Sequence, residues 1–198
     1  MTQPALTPSQ TVGPFFHDAM LREAMNVLAG PAAAGERIRI EGTVYDGDGA
    51  PVPDAVIELW QANSHGRYQH PGDDRPLPLD LDFTGFGRAG TDQDGRFWFE
   101  TIKPGAAPFD ATTMQAPHIS VTVFARGLLN HLTTRLYFTG DPANDADPIL
   151  QRVPPDRRAT LLARPATTAG QTTYRFDIVL QGEGERADGE TVFFAFTQ

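Results

Sequence analysis

The chain contains no cysteine, which excludes disulfides, zinc–thiolate sites and thiol catalysis together. Positive charge is scarce: 16 Lys and Arg stand against 25 Asp and Glu, for a formal net charge of −9. Such a surface repels phosphates, and the arginines are scattered among acids rather than grouped, which argues against a nucleic-acid partner. Apolar runs are short, and none approaches the length that spans a bilayer as a helix. Met1 to Phe16 has neither a basic stretch nor an apolar core of signal-peptide length. The expectation is a soluble, cytoplasmic protein. With 198 residues, 40% of them hydrophobic, the chain is long enough to bury a real core.

Long helical periodicity is also scarce. The first fifteen residues, rich in Pro, Thr, Ser and Gln, read as an extended arm. His17 to Leu28 predicts a short helix, with Leu21, Ala24, Met25 and Leu28 on one face and Gly30-Pro31 as its stop. From Arg37 the period becomes two: Ile38, Ile40 and Val44 alternate with polar residues, and Asp46 to Gly49 supplies a turn. Further strands are predicted at Ala55–Trp60, Arg96–Ile102, His118–Ala125, Leu132–Phe138, Thr173–Leu180 and Thr191–Phe196. A brief helix is predicted from Pro154 to Leu162, with proline in its first turn. About seven to eight half-buried strands with Gly/Pro turns describe an all-β sandwich, with an extended N-terminal arm and short helices. No repeat or long linker divides the chain, so residues 1–198 read as one domain, with 1–36 as arm and short helix. Gln69 to Phe86 is long for a loop in a compact domain, and its place after Tyr68 predicts a cover over the sandwich mouth.

One series of segments carries chemistry. It runs through Glu58-Leu59-Trp60-Gln61-Ala62-Asn63, Gly66-Arg67-Tyr68, Gly87-Arg88, Thr91 to Gly95, Thr101 to Gly105 and Pro117-His118-Ile119-Ser120. In this order the segments closely resemble the intradiol ring-cleavage dioxygenases, non-haem Fe(III) enzymes that split catechols between their hydroxyls. The resemblance implies a metal held by two tyrosines and a His-x-His pair. Hard Fe(III) favours anionic oxygen donors and accepts imidazole, and residues two apart on a strand face the same way. This chain has Tyr68 and His118 at two of those positions, but Ala107 and Ser120 at the others. Gln115 stands where the catalytic members carry an arginine that steadies developing negative charge. A methyl group donates nothing and a serine hydroxyl is a poor substitute for imidazole, so the site reads as vestigial.

Within the family, the chain resembles the iron-lacking subunit of the two-subunit protocatechuate 3,4-dioxygenases. Thr7 to Phe15, Ala116 to Ile119, Phe124 to Gly127, Arg135 to Phe138, Tyr174 to Ile178 and Gln181 to Glu185 carry that likeness. It implies a homologous partner, the beta subunit, bearing Fe(III), with higher-order assembly of the pairs. It also implies a pocket for 3,4-dihydroxybenzoate and O2 at the subunit interface. Thr11, Gly13, Pro14 and Arg135 would form this chain's share of the wall. Gly-Pro backbone can approach an aromatic ring closely, and a guanidinium offers a carboxylate a planar fork of donors. No catalytic residue and no metal of its own are implied for this chain. A related substituted catechol, such as a sulfonated one, is an alternative substrate.

Plainer readings stand beside these. Tyr68 and His118 can be packed, hydrogen-bonded side chains, Arg135 can solvate a sheet face, and the arm can simply clasp a neighbour. Asp92-Gln93-Asp94-Gly95 faintly resembles a calcium loop, but Lys103 stands where the closing glutamate belongs, so a hairpin turn is predicted. Trp60 and Trp98 read as core or interface aromatics, and His65 and His70 as loop residues without a third ligand. Two other functions remain open at this point: a self-sufficient dioxygenase with altered ligands, or a transthyretin-like binding or scaffold module.

Overall fold

A computed structural model describes residues 11, 13, 19–168, 170–181 and 189–195. Alternation at period two builds two sheets packed through their apolar faces. The first sheet contains β1 (Arg37–Tyr45) with β4 (Arg96–Ile102) antiparallel on one side, and β10 (Gln171–Arg175) and β11 (Ile178–Val179) parallel on the other. The second runs β3 (Phe86–Gly90), β2 (Val56–Trp60), β7 (His118–Phe124) and β8 (Leu132–Phe138), all antiparallel. β9 (Leu162–Thr168) joins them: Leu162 and Ala163 pair parallel with β8, and Arg164 to Thr168 pair antiparallel with β10. A small ribbon of β5 (Ala107–Pro108) and β6 (Met114–Gln115) stands apart.

The core lies between the sheets. Ile38, Ile40, Phe97 and Phe99 face Ile57, Leu59, Ile119, Val121, Leu136 and Phe138, all of them buried. On the outer face of the second sheet a smaller apolar cluster of Ala116, Tyr137, Leu150, Val153 and Leu161 forms. The 3-10 turns Pro142–Ala146, Leu150–Arg152 and Pro155–Leu161 lie in the connection that runs from β8 to β9. The last of these matches the short helix predicted after Pro154.

Four local expectations change. No helix runs through Leu21 to Leu28, because Ala24 takes a positive φ of 59°. Leu28 is buried instead as an extended residue whose N–H donates to the Glu100 carbonyl at 2.8 Å. His17 and Asp18 lie outside the described residues. The strand predicted over Thr173–Leu180 is split, since Phe176 and Asp177 leave the ladder and the Asp177 carboxylate accepts the Thr43 N–H at 3.0 Å. Residues 191–195 are not a strand: they cross the sheet on single bonds, such as Phe194 N–H to the Thr133 carbonyl at 2.7 Å. Phe196 lies outside the described residues. Finally, Asp92 to Gly95 is a turn, with Gly95 at φ 70°, but not a hairpin. It carries the chain from β3 in one sheet to β4 in the other.

Candidate functional site

The segments singled out in the sequence meet on the outer face of the second sheet. Because β2, β7 and β8 are antiparallel neighbours, Trp60, Ser120 and Arg135 stand side by side across them, and His118 pairs with Tyr137. Alternation then places Ile119, Leu136 and Phe138 inward and His118, Ser120, Arg135 and Tyr137 outward. Arg135 therefore lies on the face opposite Leu136 and Phe138, as its strand position predicts.

Turn chemistry brings in the remaining positions. The Asn63 carboxamide oxygen accepts the N–H groups of His65 and Arg67, at 2.9 and 3.1 Å, and so shapes the turn into Tyr68. Gly66, at φ 78°, allows the Ala106 carbonyl to come so close that a Cβ there would lie 2.0 Å from its oxygen. Gly105 makes the matching approach, and its N–H donates to the Asn63 carbonyl at 2.9 Å. Two glycines thus lock the loop before Tyr68 onto the loop before Ala107. Ala107 pairs with Gln115 in the β5–β6 ribbon.

The strand and loop positions of the implied metal site, Tyr68, Ala107, Gln115, His118 and Ser120, are thus linked on this face of the sheet, and the chemistry of each can be stated. Burial pushes the Tyr68 phenol up, against the opposing pull of Arg135 and Arg75, so it stays protonated at neutral pH. Its ring stacks on Trp60, with centroids 5.7 Å apart. His118 is buried, and its Nδ1 lies 2.7 Å from the Ala116 carbonyl oxygen, which fixes the proton on that nitrogen. Burial, with the Arg135 charge next in weight, lowers its pKa to about 4. Ala107 is buried and offers no donor. Among the described residues, no group of three or more His, Cys, Asp or Glu comes together to hold a metal. The residues here do not fit the ferric ion that the resemblance associates with these positions.

Arg135 alters the reading of Gln115. Its Nη1 donates to the Gln115 carboxamide oxygen at 2.7 Å and approaches the Tyr137 hydroxyl at 3.4 Å. Position 115 has lost its own charge, yet a guanidinium arrives beside it from β8. Tyr137 and Asp147 were not singled out by sequence. Burial raises the Tyr137 phenol, which donates to Asp147 at 3.0 Å. Asp147 is fully buried and also accepts the N–H groups of Ala116, Ile149 and Leu150, between 2.7 and 2.9 Å. Tyr137 could have been found by its two-residue spacing from Arg135, and Asp147 by its place ahead of a 3-10 turn.

The loop after Tyr68 is pinned as well as long. Arg67 donates to the Leu77 carbonyl at 2.5 Å, and the Arg75–Asp73 pair at 2.6 Å holds Asp73 low, at about 2. With Trp60, Tyr68 and Pro108, residues of this loop line an open cleft of about 630 Å³. His70 meets Trp60 edge-on at 6.4 Å and lines the same cleft. His65 is an exposed loop residue. Trp98 lies on the surface beneath Arg39, whose guanidinium carbon is 4.2 Å from the ring centroid. At the N-terminal arm, the Thr11 hydroxyl accepts the Gly127 N–H at 3.0 Å. Gly13 is exposed, with open space where a Cβ would stand. Pro14 lies outside the described residues.

Residues 12–182 match the family model described as Dioxygenase. The chain is 43% identical to a protocatechuate 3,4-dioxygenase alpha chain of Pseudomonas putida, over 96% of each. It is 39% identical to a protocatechuate 3,4-dioxygenase beta chain of Burkholderia cepacia, over 88% of this chain and 75% of that one. Among solved structures, it resembles the dioxygenase domain of a dioxygenase–carbohydrate-binding fusion from Streptomyces sp. SirexAA-E. That likeness has a TM-score of 0.61 and 27% identity, and covers 79% of this chain and 87% of that one.

Proposed function

This chain belongs to the dioxygenase family, and from that membership we propose that it is the iron-lacking alpha subunit of a heteromeric protocatechuate 3,4-dioxygenase. The observation that carries this reading is a site whose framework is complete while Ala107 and Ser120 withhold the donors. The partner is a homologous beta subunit that carries Fe(III). Together they cleave 3,4-dihydroxybenzoate with O2 to 3-carboxy-cis,cis-muconate, an oxidoreductase step of aromatic catabolism in the cytoplasm. This chain supplies shape and polarity rather than metal chemistry.

Thr11, Gly13, Pro14 and Arg135 form its part of the pocket wall. The bond from Gly127 to Thr11 anchors the arm at the turn between β7 and β8, at the opposite end of those strands from His118 and Tyr137; the arm's share of the wall follows from the family resemblance. The full 198 residues act as one sandwich domain, residues 1–36 being the arm and entry segment.

Purification of the tagged chain from its own cells tests the proposal. A second polypeptide of similar size, with one iron per pair, is the expected result. Iron on this chain alone would overturn it in favour of an altered ligand set, and the absence of both partner and iron would favour a binding module.

A further inference from the structure

Arg135 has a role that the missing ligands do not explain. Its register partner across the β7–β8 ladder is Ser120, and Tyr137, two residues along on the same face, pairs with His118. Its Nη1 holds Gln115, which is the register partner of Ala107. Its charge also reaches the Tyr68 phenol. One guanidinium thus stands among all four positions from which the resemblance would suspend a metal. We propose that Arg135 is the resident cation of this pocket, and that its fixed charge keeps ferric and other hard metal ions out of this chain independently of the lost ligands.

The physical case has two parts. A metal ion entering the pocket must approach a guanidinium that cannot shed its proton. Like charges in a half-buried setting repel far more strongly than in water. The guanidinium is also held in place, since Arg135 Nη1 bonds Gln115 and reaches the Tyr137 hydroxyl, which in turn donates to Asp147. Asp147 is a fully buried carboxylate, and a cation two links away along this chain of bonds helps to balance it. Charge neutrality that a metal could supply is therefore already met by the protein. This inference does not depend on which catechol the assembly accepts, or on the arm.

Its test restores the donors with and without the charge. The full chain carrying Ala107→Tyr and Ser120→His is prepared with Arg135 intact, with Arg135→Gln and with Arg135→Lys. Each preparation is exposed to iron, and the readouts are iron per chain and the visible tyrosinate-to-Fe(III) absorption band. Arg135→Gln should bind iron about tenfold or more tightly than the Arg135 version, with the lysine version resembling arginine. Equal binding by the arginine and glutamine versions would overturn the proposal. If Ala107→Tyr prevents folding, as judged by circular dichroism, Ser120→His alone is titrated with Co(II) in the same three backgrounds. The same order is expected, and equal affinities would again overturn the inference.

Discussion

At His118 the protein keeps a buried imidazole, and burial sets its protonation. Its pKa is lowered to about 4, whereas the unfolded chain titrates near 6.5. Between those values the unfolded state binds more protons, so stability rises with pH through the window and is fully present above it. Acidification from pH 7 to pH 4 should cost native protein on the order of 3 kcal/mol through this group. Urea unfolding at both pH values, compared with His118→Gln, checks it: the variant should lose the His118 share of the pH slope. Arg135 invites a different measurement in the assembled enzyme. Replacing it with methionine should raise KM for a carboxylated catechol severalfold, and leave KM for a catechol without the carboxylate nearly unchanged. Equal losses for both substrates would remove Arg135 from the pocket wall. Gly66 and Gly105 act on the same site without chemistry. Either residue, given a Cβ, would separate Tyr68 from Ala107.

The parallel pairing of β1 with β10 and β11 shows how one backbone detail sets the shape of an element. Sequence alternation over Tyr174, Phe176, Ile178 and Leu180 is regular and predicts one uninterrupted strand. The interruption comes from tertiary contact: the Phe176 carbonyl lies where a Cβ on Gly42 would stand, at 1.9 Å. Gly42→Ala should therefore destabilise the fold by about 3 kcal/mol or more, read as a lowered urea midpoint with little change in slope. Survival of that variant at native stability would show that the ladder can shift to accommodate a methyl group. β9 is the other element that only packing explains. Leu162 to Thr168 contains arginine and proline and shows little alternation, because its first residues serve one sheet and its last serve the other.

At the scale of the whole molecule, strand pairing and the Arg135–Gln115 bond bring residues of β2, β5, β6, β7 and β8 together on the outer face of the second sheet. Thr11 of the arm is tied to Gly127, in the turn that joins β7 to β8 at the opposite end of those strands from His118. In the assembled enzyme, Gly13→Val should raise KM about tenfold by crowding the pocket, while iron per pair stays constant. A parallel fall in iron or in recovered partner would instead make the arm a clasp between subunits.

The sequence by itself determined the sandwich, the strand faces of Ile119, Leu136 and Phe138, and the loss of donors at Ala107 and Ser120. These are local matters: period two follows from strand geometry, and donor chemistry belongs to the side chain itself. The family resemblance was also legible, since turn glycines and short motifs keep their order along the chain. Tertiary structure alone decided that the chain from Leu21 to Leu28 is not helical, that β10 and β11 separate, and that Tyr137 donates to a buried Asp147. It also decided that the positive charge missing at Gln115 returns through Arg135. Side chains separated by twenty residues meet because β8 lies beside β7, and that adjacency is a property of strand pairing rather than of any segment's composition.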